Sequence, residues 1–313
     1  MVKVFIDGKA GTTGLKIYDR LSQRADVELL TLPEELRKDT NARKEMLNSA
    51  DIAFLCLPDA AAIEAVSLID NPDTVVIDTS TAHRTNPDWA YGFAELSEEA
   101  FDKIRTSKRI AVPGCHASGF IALVYPLVKE GLISADELLS CFSLTGYSGG
   151  GKQMIADYED ENRNPELSSP RQYAVAQMHK HIPEMTKVTG IKNAPVFSPI
   201  VADYLCGMQV TVPLHKAQLC EGFTIDSIRE VYKKMYNDSV VTYVQKMDET
   251  GFISSNLFSG YDNMQITVEG NEDRILLIAR YDNLGKGASG AAVECMNIAL
   301  GIDKTTSLSI KEV

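Results

Sequence analysis

The sequence predicts an α/β fold in which a doubly wound parallel sheet is followed by a second, α+β domain. Three observations lead to this prediction. A glycine turn follows the first apolar run, short apolar runs alternate with helix-like segments as far as Cys115, and longer stretches of alternating polarity follow that residue. Strands that alternate with helices are typical of a parallel sheet, and alternating polarity is typical of an antiparallel sheet with one covered face.

The first domain is predicted from apolar runs that are too short for helices and are separated by helix-like segments. Buried parallel strands are typically such unbroken apolar runs. The predicted strands are residues 2–6, 27–30, 51–57, 75–78 and 110–112, and the predicted helices are residues 12–20, 41–48 and 60–69.

The second domain begins with a helix predicted over residues 116–130, kinked at Pro126 and capped by Gly131. The boundary between the domains is expected near Cys115. The predicted antiparallel strands are residues 138–145, 207–214, 264–268 and 274–280, and a helix rich in small residues is predicted over 288–300.

Length, charge and cysteine content narrow the class of protein. The chain has 313 residues, enough for one large or two ordinary domains, and its formal net charge is −12. This charge disfavours nucleic acid or an anionic membrane as partner, while an anionic small molecule in a local basic pocket stays compatible. No apolar run is long enough to span a membrane, and the N-terminus lacks a secretory signal pattern. The six cysteines form no CxxC pair, so we expect reduced thiols in the cytoplasm.

The glycine turn predicts a dinucleotide site of the Rossmann type. Gly8, Gly11 and Gly14 are spaced three residues apart between the first strand and the first helix. Glycines allow the backbone to approach a pyrophosphate, and a helix N-terminus offers unpaired N–H groups to it. The alternative is an ordinary strand-to-helix turn.

The residues after the second strand favour NADP over NAD. An NAD site usually carries an acidic residue there for the ribose 2′-hydroxyl. Here Glu34 and Glu35 lie beyond a proline, and Arg37 and Lys38 follow at once. These cations, with Thr12 and Thr13 as further donors, suit a 2′-phosphate, although Arg37 and Lys38 are equally compatible with solvated surface charges.

Cys115 is set apart from the other cysteines by its position between a strand end and a helix start. A helix N-terminus stabilises a thiolate, and its N–H groups can stabilise an oxyanion. The other five cysteines are interpreted as buried and inert.

A base for this thiol is expected in the segment Met178–Glu184. Because Pro183 suits the start of a helix, residues 179–182 are predicted to be extended, with His179 and His181 on the same face. The alternatives are two structural histidines or a metal pair. No HExxH motif or cysteine cluster supplies further ligands, so no metal is expected.

Two other segments carry anion-binding chemistry. Arg84 follows the strand predicted at 75–78, near the sheet edge where ligands bind, and its planar guanidinium can hold a phosphate or a carboxylate. Ser148, Gly149, Gly150 and Lys152 form a flexible loop with a hydroxyl and a cation. A surface salt bridge and a surface turn are the respective alternatives.

Together these segments resemble the shorter form of the N-acetyl-gamma-glutamyl-phosphate reductases of arginine biosynthesis. The resemblance covers nearly the whole chain. Its motifs are the glycine turn, LCLPDAA at 55–61, IDTSTAHR at 77–84, PGC at 113–115, HKHIPE at 179–184 and DNLGKGASGAAVECMN at 282–297. The aspartate-semialdehyde dehydrogenases share the plan but have different contexts for their cysteine and histidine.

The resemblance implies NADPH-dependent reduction of N-acetyl-gamma-glutamyl phosphate to N-acetylglutamate 5-semialdehyde, with release of phosphate, through a thioester on Cys115. It implies that the pair His179 and His181 supplies the acid/base, without deciding between them. It further implies that Arg84 and the loop 148–152 bind the substrate's carboxylate or phosphate. His116 occupies a position that is aromatic in many longer relatives, so its part in catalysis is an open question.

The resemblance also implies a domain division. Asn283 and Gly287 would approach the nicotinamide half of the cofactor, so residues 286–313 would join residues 1–115 in the NADP-binding domain. Residues 116–285 would form the catalytic and oligomerisation domain, and a homo-oligomer is expected.

Two alternatives to this function stay open. The first is an enzyme that acts on aspartyl phosphate, as an aspartate-semialdehyde dehydrogenase does. The second is a regulator that senses a dinucleotide without turnover, although a sensor needs neither Cys115 nor the two histidines.

Overall fold

The computed structural model describes residues 1–247 and 250–312. The chain forms two compact units. Unit 1 comprises Met1–Pro113 and Ala288–Leu308, and unit 2 comprises Gly114–Gly287 and the segment from Ser309 onward. In the part of the chain so described, no helix is both long enough and apolar enough to span a membrane.

Unit 1 contains a six-stranded, entirely parallel sheet, which confirms the predicted doubly wound fold. Its strands are β1 (Val2–Asp7), β2 (Val27–Leu30), β3 (Ile52–Leu55), β4 (Val75–Asp78), β5 (Ala90–Tyr91) and β6 (Arg109–Ala111), in the order β2-β1-β3-β4-β6-β5. Its helices are α1 (Thr12–Leu21), α2 (Thr40–Ser49), α3 (Asp59–Ser67), α4 (Glu98–Thr106) and α9 (Gly290–Ala299).

Apolar side chains on both faces of this sheet explain why its strands appear in the sequence as unbroken apolar runs. One face packs Ile6, Phe54 and Ile77 with residues of α1 and α9, and the other packs Phe5 and Leu55 with residues of α2 and α3. The strand order reverses between β1 and β3, where ligands bind in open parallel sheets. The glycine turn follows β1 at this point.

Unit 2 contains a seven-stranded mixed sheet in the order β11-β12-β13-β10-β7-β9-β8. Its elements are α5 (Cys115–Lys129), β7 (Ser140–Gly146), α6 (Gly151–Glu159), β8 (Arg171–Gln172), α7 (Ile182–Thr189), β9 (Val196–Ala202), β10 (Met208–His215), α8 (Ile225–Met235), β11 (Val241–Tyr243), β12 (Met264–Gly270) and β13 (Arg274–Tyr281). The predicted antiparallel pairing holds for β7, β10, β12 and β13, but β9 pairs with β7 in parallel, and β11 pairs with β12 in parallel. The segment between β7 and β9 contains α6 and α7 and is long enough for the crossover that a parallel pair requires.

Helix α5 lies against one face of this sheet at very short range. A Cβ atom on Gly119 would lie 2.6 Å from Val210 Cγ2 and 2.7 Å from Tyr281 Oη, so no other residue fits there without displacement. On the opposite face of the sheet, the side chains of Phe142, Val196 and Leu276 are exposed. The two faces of the sheet therefore differ in what covers them.

Three expectations from the sequence are corrected. Residues 179–182 are not extended: the Ile182 N–H donates to the His179 carbonyl, which makes a turn, and His181 has helical dihedral angles as the N-cap of α7. The closing helix is preceded by a π-helical turn, Gly285–Ser289. Residues 286–287 and 309–312 belong to unit 2 rather than to unit 1, and the backbone of Ser309 and Lys311 hydrogen-bonds to Asp262 and Asn263.

Candidate active site

Cys115 is the first residue of α5, and its main-chain neighbours are held on both sides. The N-cap Gly114 has no side chain to cap the helix, and its N–H donates to Glu184 Oε2 at 3.2 Å. The Cys115 carbonyl accepts a hydrogen bond from the Tyr281 hydroxyl at 2.5 Å. The half-buried thiol therefore stands at the positive end of a helix dipole, which favours a thiolate.

Tyr281 contacts the first turn of α5 through its hydroxyl. The hydroxyl donates to the Cys115 carbonyl and accepts from the Gly119 N–H at 3.0 Å, which are the backbone groups of residues i and i+4 in this turn. Burial, and next the charge of Cys115, raise the pKa of Tyr281, so this hydroxyl stays protonated and can donate. The Tyr281 hydroxyl is thus hydrogen-bonded to the backbone of the helical turn that begins with Cys115.

Gly287 covers Cys115 from the π-helical turn. A Cβ atom on Gly287 would lie 3.0 Å from Cys115 Cβ and 3.1 Å from the Asp282 carbonyl oxygen. The single-turn π-helix is a geometry that occurs often at functional sites. The glycine predicted to bind cofactor is therefore in van der Waals contact with the nucleophilic residue.

The two histidines of the HKH segment lie together, as predicted, and His116 joins them. The ring centroids of His179 and His181 are 4.6 Å apart, and the centroid of His116 lies 5.5 Å from the first and 5.6 Å from the second. Among the described residues, no three His, Cys, Asp or Glu side chains converge as metal ligands.

The surroundings of His179 and His181 differ. Nδ1 of the half-buried His179 accepts a hydrogen bond from the His181 backbone N–H at 3.1 Å, which places the proton of a neutral His179 on Nε2. His181 is buried, and its Nε2 lies 4.0 Å from Oε1 of the buried Glu184. His181 therefore has a carboxylate beside it that becomes an ion-pair partner once the imidazole is protonated.

His116 is a neutral histidine at the centre of this cluster. Burial, and next the charge of His179, lower its pKa to about 3. Its Nδ1 lies 2.7 Å from Ser143 Oγ, and its Nε2 lies 2.5 Å from Tyr173 Oη. Burial and the charge of Cys115 raise the pKa of Tyr173, so its phenol is also neutral.

Three residues of this site received no role in the sequence analysis. Tyr173 follows the short strand β8, Tyr281 ends β13, and Glu184 lies in the first turn of α7. Glu184 was visible as the last letter of the HKHIPE motif. Nothing local distinguishes the two tyrosines, because strand pairing brings them to Cys115 from distant parts of the chain.

The predicted substrate loop is anchored within unit 2. The buried Ser148 hydroxyl accepts from Asn283 Nδ2 at 2.9 Å, and Asn283 Oδ1 accepts from the Gly207 N–H at 3.0 Å. Lys152 is exposed at the start of α6. The side chain of Asn283, predicted to bind cofactor, thus connects the loop to the segment before β10.

The predicted nucleotide residues of unit 1 form a compact cradle. Gly8 has φ +85°, and a Cβ atom on it would lie 2.2 Å from the Cys56 carbonyl oxygen; a Cβ atom on Gly14 would lie 2.6 Å from the Gly8 carbonyl oxygen. Gly11 is the N-cap of α1 without a side-chain cap. The Thr12 hydroxyl is a buried atom with no hydrogen-bond partner among the described residues, and Thr13 follows it in the first turn.

The predicted cations of unit 1 lie in two places. Arg37 and Lys38 are exposed after β2, and Arg37 pairs with Glu34 at 2.8 Å. Arg84 is half-buried beyond β4, where its Nε donates to the Val112 carbonyl and its Nη2 to the Thr79 carbonyl. Arg84 therefore connects the residue that follows β4 with the residue that follows β6, at the carboxyl edge of the sheet.

The other cysteines have diverse surroundings. Cys141, Cys206 and Cys295 are buried, and burial raises the pKa of Cys56 to about 12. Cys220, in the loop before α8, is exposed and Cys56 is only half-buried, so the expectation that all five are buried is wrong for these two residues. Among the described residues no disulfide joins the cysteines.

Two family models match the chain, one in each half. Residues 3–104 match "Semialdehyde dehydrogenase, NAD binding domain", and residues 115–283 match "Semialdehyde dehydrogenase, dimerisation domain". Solved structures of the same fold include aspartate semialdehyde dehydrogenase II from Vibrio cholerae complexed with ASA, with a TM-score of 0.71 at 15% identity, covering 96% of this chain and 98% of that one. Another is aspartate semialdehyde dehydrogenase with NADP from Candida albicans, with a TM-score of 0.67 at 14% identity, covering 95% and 98%. The class of protein is thus the semialdehyde dehydrogenases.

Relatives of higher identity give the family within this class. The N-acetyl-gamma-glutamyl-phosphate reductase of Rhizobium etli strain CFN 42 is 45% identical over 305 residues, 95% of this chain and 98% of that protein. The reductase of the same name from Brucella ovis is 43% identical over 306 residues, 96% of this chain and 99% of that protein. The chain belongs to the N-acetyl-gamma-glutamyl-phosphate reductase family.

The low pKa of His116 predicts a specific acid sensitivity. The folded state binds no proton on His116 above about pH 3, whereas the unfolded chain binds one below about pH 6.5. Stability is therefore lost as pH falls from about 6.5 toward 3, by up to about 1.4 kcal/mol per pH unit from this group. His116→Gln should reduce the slope of unfolding free energy against pH in urea titrations between about pH 4 and 6.

The matched control for this titration is His215→Gln, which replaces an exposed histidine outside this cluster, at the end of β10. Equal slopes for the wild type and His116→Gln would contradict a neutral, buried His116.

Proposed function

We propose that this protein catalyses the NADPH-dependent reduction of N-acetyl-gamma-glutamyl phosphate to N-acetylglutamate 5-semialdehyde in arginine biosynthesis, with release of phosphate. The observation that carries the proposal is Cys115 at the N-terminus of α5, beside the pair of His181 and Glu184. A chain 45% identical to a reductase of this name supports the choice of substrate.

In this proposal Cys115 is the nucleophile. His181 takes the thiol proton, and the thiolate attacks the acyl carbon of the acyl phosphate. The C–O bond to phosphate breaks, His181 returns its proton to the leaving phosphate, and Cys115 holds the acyl group as a thioester. When bound, NADPH would supply the hydride that adds to the thioester carbon and gives the oxyanion of a thiohemiacetal. Collapse of this oxyanion breaks the C–S bond, releases the aldehyde and regenerates the Cys115 thiolate.

We assign the acid/base role to His181 rather than His179. Glu184 lies next to His181 and accepts a hydrogen bond from the Gly114 N–H, so one carboxylate contacts both the base and the residue before the nucleophile. The His179 imidazole has a different partner, because its Nδ1 accepts a hydrogen bond from the His181 backbone N–H. His179 would then contact substrate, where a half-exposed imidazole can donate to a carboxylate or phosphate.

Hydrogen-bond donors stabilise the charge that develops on the acyl oxygen. The N-terminal turn of α5 supplies backbone N–H groups. The neutral Tyr173 phenol, whose pKa is raised by burial and by the charge of Cys115, supplies a side-chain donor. Arg84 and the loop of Ser148, Gly149, Gly150 and Lys152 remain our candidates for substrate carboxylate and phosphate.

The residues of unit 1 fit a dinucleotide. The N-terminus of α1, which no side chain caps, offers N–H groups to a pyrophosphate, and the buried Thr12 hydroxyl offers a further donor. Gly8, Gly11 and Gly14 have no side chain to keep the pyrophosphate away from the backbone. Arg37 and Lys38, with Thr13, would bind a 2′-phosphate, and Asn283 and Gly287 the nicotinamide half. The solved relative from Candida albicans with NADP supports NADP as the nucleotide.

A homo-oligomer is proposed through the uncovered face of the sheet in unit 2. Phe142, Val196 and Leu276 are 45%, 60% and 41% exposed there, an apolar surface that a second copy of the chain would cover. The description of the matching family model as a dimerisation domain supports this occupant. A cytoplasmic location agrees with thiols that form no disulfide in the described residues.

The substrate is tested in the oxidative direction with NADP and phosphate. We expect kcat/KM for N-acetylglutamate semialdehyde to exceed that for aspartate semialdehyde by at least about 100-fold, because discrimination by polar contacts reaches this size or more. Similar values for the two aldehydes would favour the aspartate enzyme. NADPH binding without turnover of either would favour a sensor.

Replacing the nucleophile should abolish turnover and leave the nucleotide site intact. Cys115→Ser is expected to lower kcat by at least about 1,000-fold, because a serine hydroxyl is a far weaker nucleophile in a site built for a thiolate. NADPH binding, measured by fluorescence titration, should change less than about two-fold. Cys220→Ser, at the exposed cysteine, is the control with wild-type kcat; a Cys115→Ser enzyme that turns over normally would remove the nucleophile from the proposal.

The assignment of His181 is tested by pH–rate profiles. His181→Asn should lose the limb of kcat/KM that reports the base, and Glu184→Gln should displace that limb, because the amide offers the protonated imidazole no charge. His179→Asn should keep the limb and raise KM. Loss of the limb in His179→Asn alone would reverse the two roles.

The oligomer is tested by placing a charge on the uncovered face. Phe142→Asp should shift the mass measured by light scattering toward the monomer, since burying an unpaired carboxylate opposes association. Ile63→Asp, at a 56% exposed residue of α3 in unit 1, is the matched control. An unchanged mass for Phe142→Asp would show that the subunits associate elsewhere.

A further inference from the structure

We infer that Ser143 and His116 form a hydrogen-bond relay that turns the Tyr173 hydroxyl into a donor directed at the Cys115 site. His116 and Ser143 would be positioning residues that act through Tyr173. The inference rests on the proposed function, because it assigns the proton of Tyr173 a purpose in that reaction.

The relay has two possible directions. A neutral imidazole carries one N–H and one acceptor nitrogen. Either Ser143 donates to Nδ1 and Nε2–H donates to Tyr173, or Nδ1–H donates to Ser143 and the Tyr173 phenol donates to Nε2. Only the first direction leaves the Tyr173 proton available to another acceptor.

The burial of Ser143 selects the first direction. Ser143 is completely buried in β7, and within residues 1–247 and 250–312 its hydroxyl oxygen has one hydrogen-bond partner, His116 Nδ1 at 2.7 Å. If Nδ1 carried the proton, the serine O–H would be a buried donor without an acceptor, which costs about 1–3 kcal/mol. If Ser143 donates, its proton is paired, Nδ1 is paired, and Nε2–H meets the Tyr173 oxygen at 2.5 Å.

The remaining contacts of His116 hold it in this orientation. Its ring packs against Phe197 at a centroid distance of 5.4 Å as well as against the two other histidines. Tyr173 is fixed independently, because its backbone N–H donates to the Pro199 carbonyl at 3.1 Å. The phenol oxygen can therefore accept from His116 Nε2–H and keep its own proton for another acceptor, and the charge of Cys115, which contributes to the raised pKa of Tyr173, places that acceptor on the side of the nucleophile.

A double-mutant cycle tests the relay in the full-length enzyme. His116→Phe removes both hydrogen bonds and keeps the ring volume, and we expect kcat to fall about 10- to 100-fold with KM for the aldehyde changed less than about three-fold. His116→Gln, whose amide N–H can replace Nε2–H, should recover part of that loss. In a Tyr173→Phe background His116→Phe should cost less than about three-fold more, because the relay then has no phenol to orient.

The controls separate the relay from stability and from the proposed function. If His116 were only a packing residue, the apolar His116→Phe would be at least as active as His116→Gln. An unchanged kcat in His116→Phe, or an equal loss with and without Tyr173, would overturn the inference. Ser143→Ala provides the same cycle should His116→Phe fail to fold. Wild-type enzyme without turnover of N-acetylglutamate semialdehyde would instead be a failure of the proposed function.

Discussion

The contact of the Tyr281 hydroxyl with the first turn of α5 is the interaction on which the site of unit 2 depends. The hydroxyl makes two hydrogen bonds to the helix backbone, donating to the Cys115 carbonyl and accepting from the Gly119 N–H. These bonds require α5 to lie very close to the sheet, and the missing side chain of Gly119 permits this approach. Glu184 holds the other side of the nucleophile through the Gly114 N–H. Cys115 thus starts a helix whose first turn is fixed from two directions by residues outside it.

The position of Cys115 at the N-terminus of α5 also determines which charged and neutral groups surround its thiol. Cys115 at a helix N-terminus is accompanied by the buried carboxylate of Glu184 and by three imidazoles, of which His116 is held neutral by burial. Neutral Tyr173 and neutral His116 add hydrogen bonds without adding charge. In the proposed mechanism the tasks are separate: Cys115 would make the nucleophilic attack, His181 would transfer protons, and the neutral groups would orient the others.

Local patterns predicted those parts of the molecule that depend on neighbours in sequence. The parallel sheet of unit 1 is visible because each strand is apolar on both faces, and the glycine turn is visible because Gly8 and Gly14 meet backbone at distances that exclude a Cβ atom. The setting of Cys115 at a helix start was predictable for the same reason.

Features that depend on strand pairing were not predictable in this way. Tyr173, Tyr281 and Ser143 reach the site through the register of β7, β8 and β13 with their neighbours, which alternating polarity does not determine. The parallel pairing of β9 with β7 depends on the crossover through α6 and α7. The HKH segment shows the limit most clearly: an extended strand and the observed turn both bring the imidazoles together. The Ile182 hydrogen bond to His179 and the helical dihedral angles of His181 distinguish the turn.

The central claim is that Cys115 carries the acyl group as a thioester, and the most direct test is to trap it. Enzyme mixed with N-acetylglutamate semialdehyde and NADP in the absence of phosphate should produce a burst of NADPH close to one equivalent per site, since the acyl-enzyme cannot be discharged to phosphate. Mass spectrometry should then find the acyl group on the peptide that contains Cys115, and added phosphate should remove it. No burst, or an acyl group on any other residue, would contradict the account.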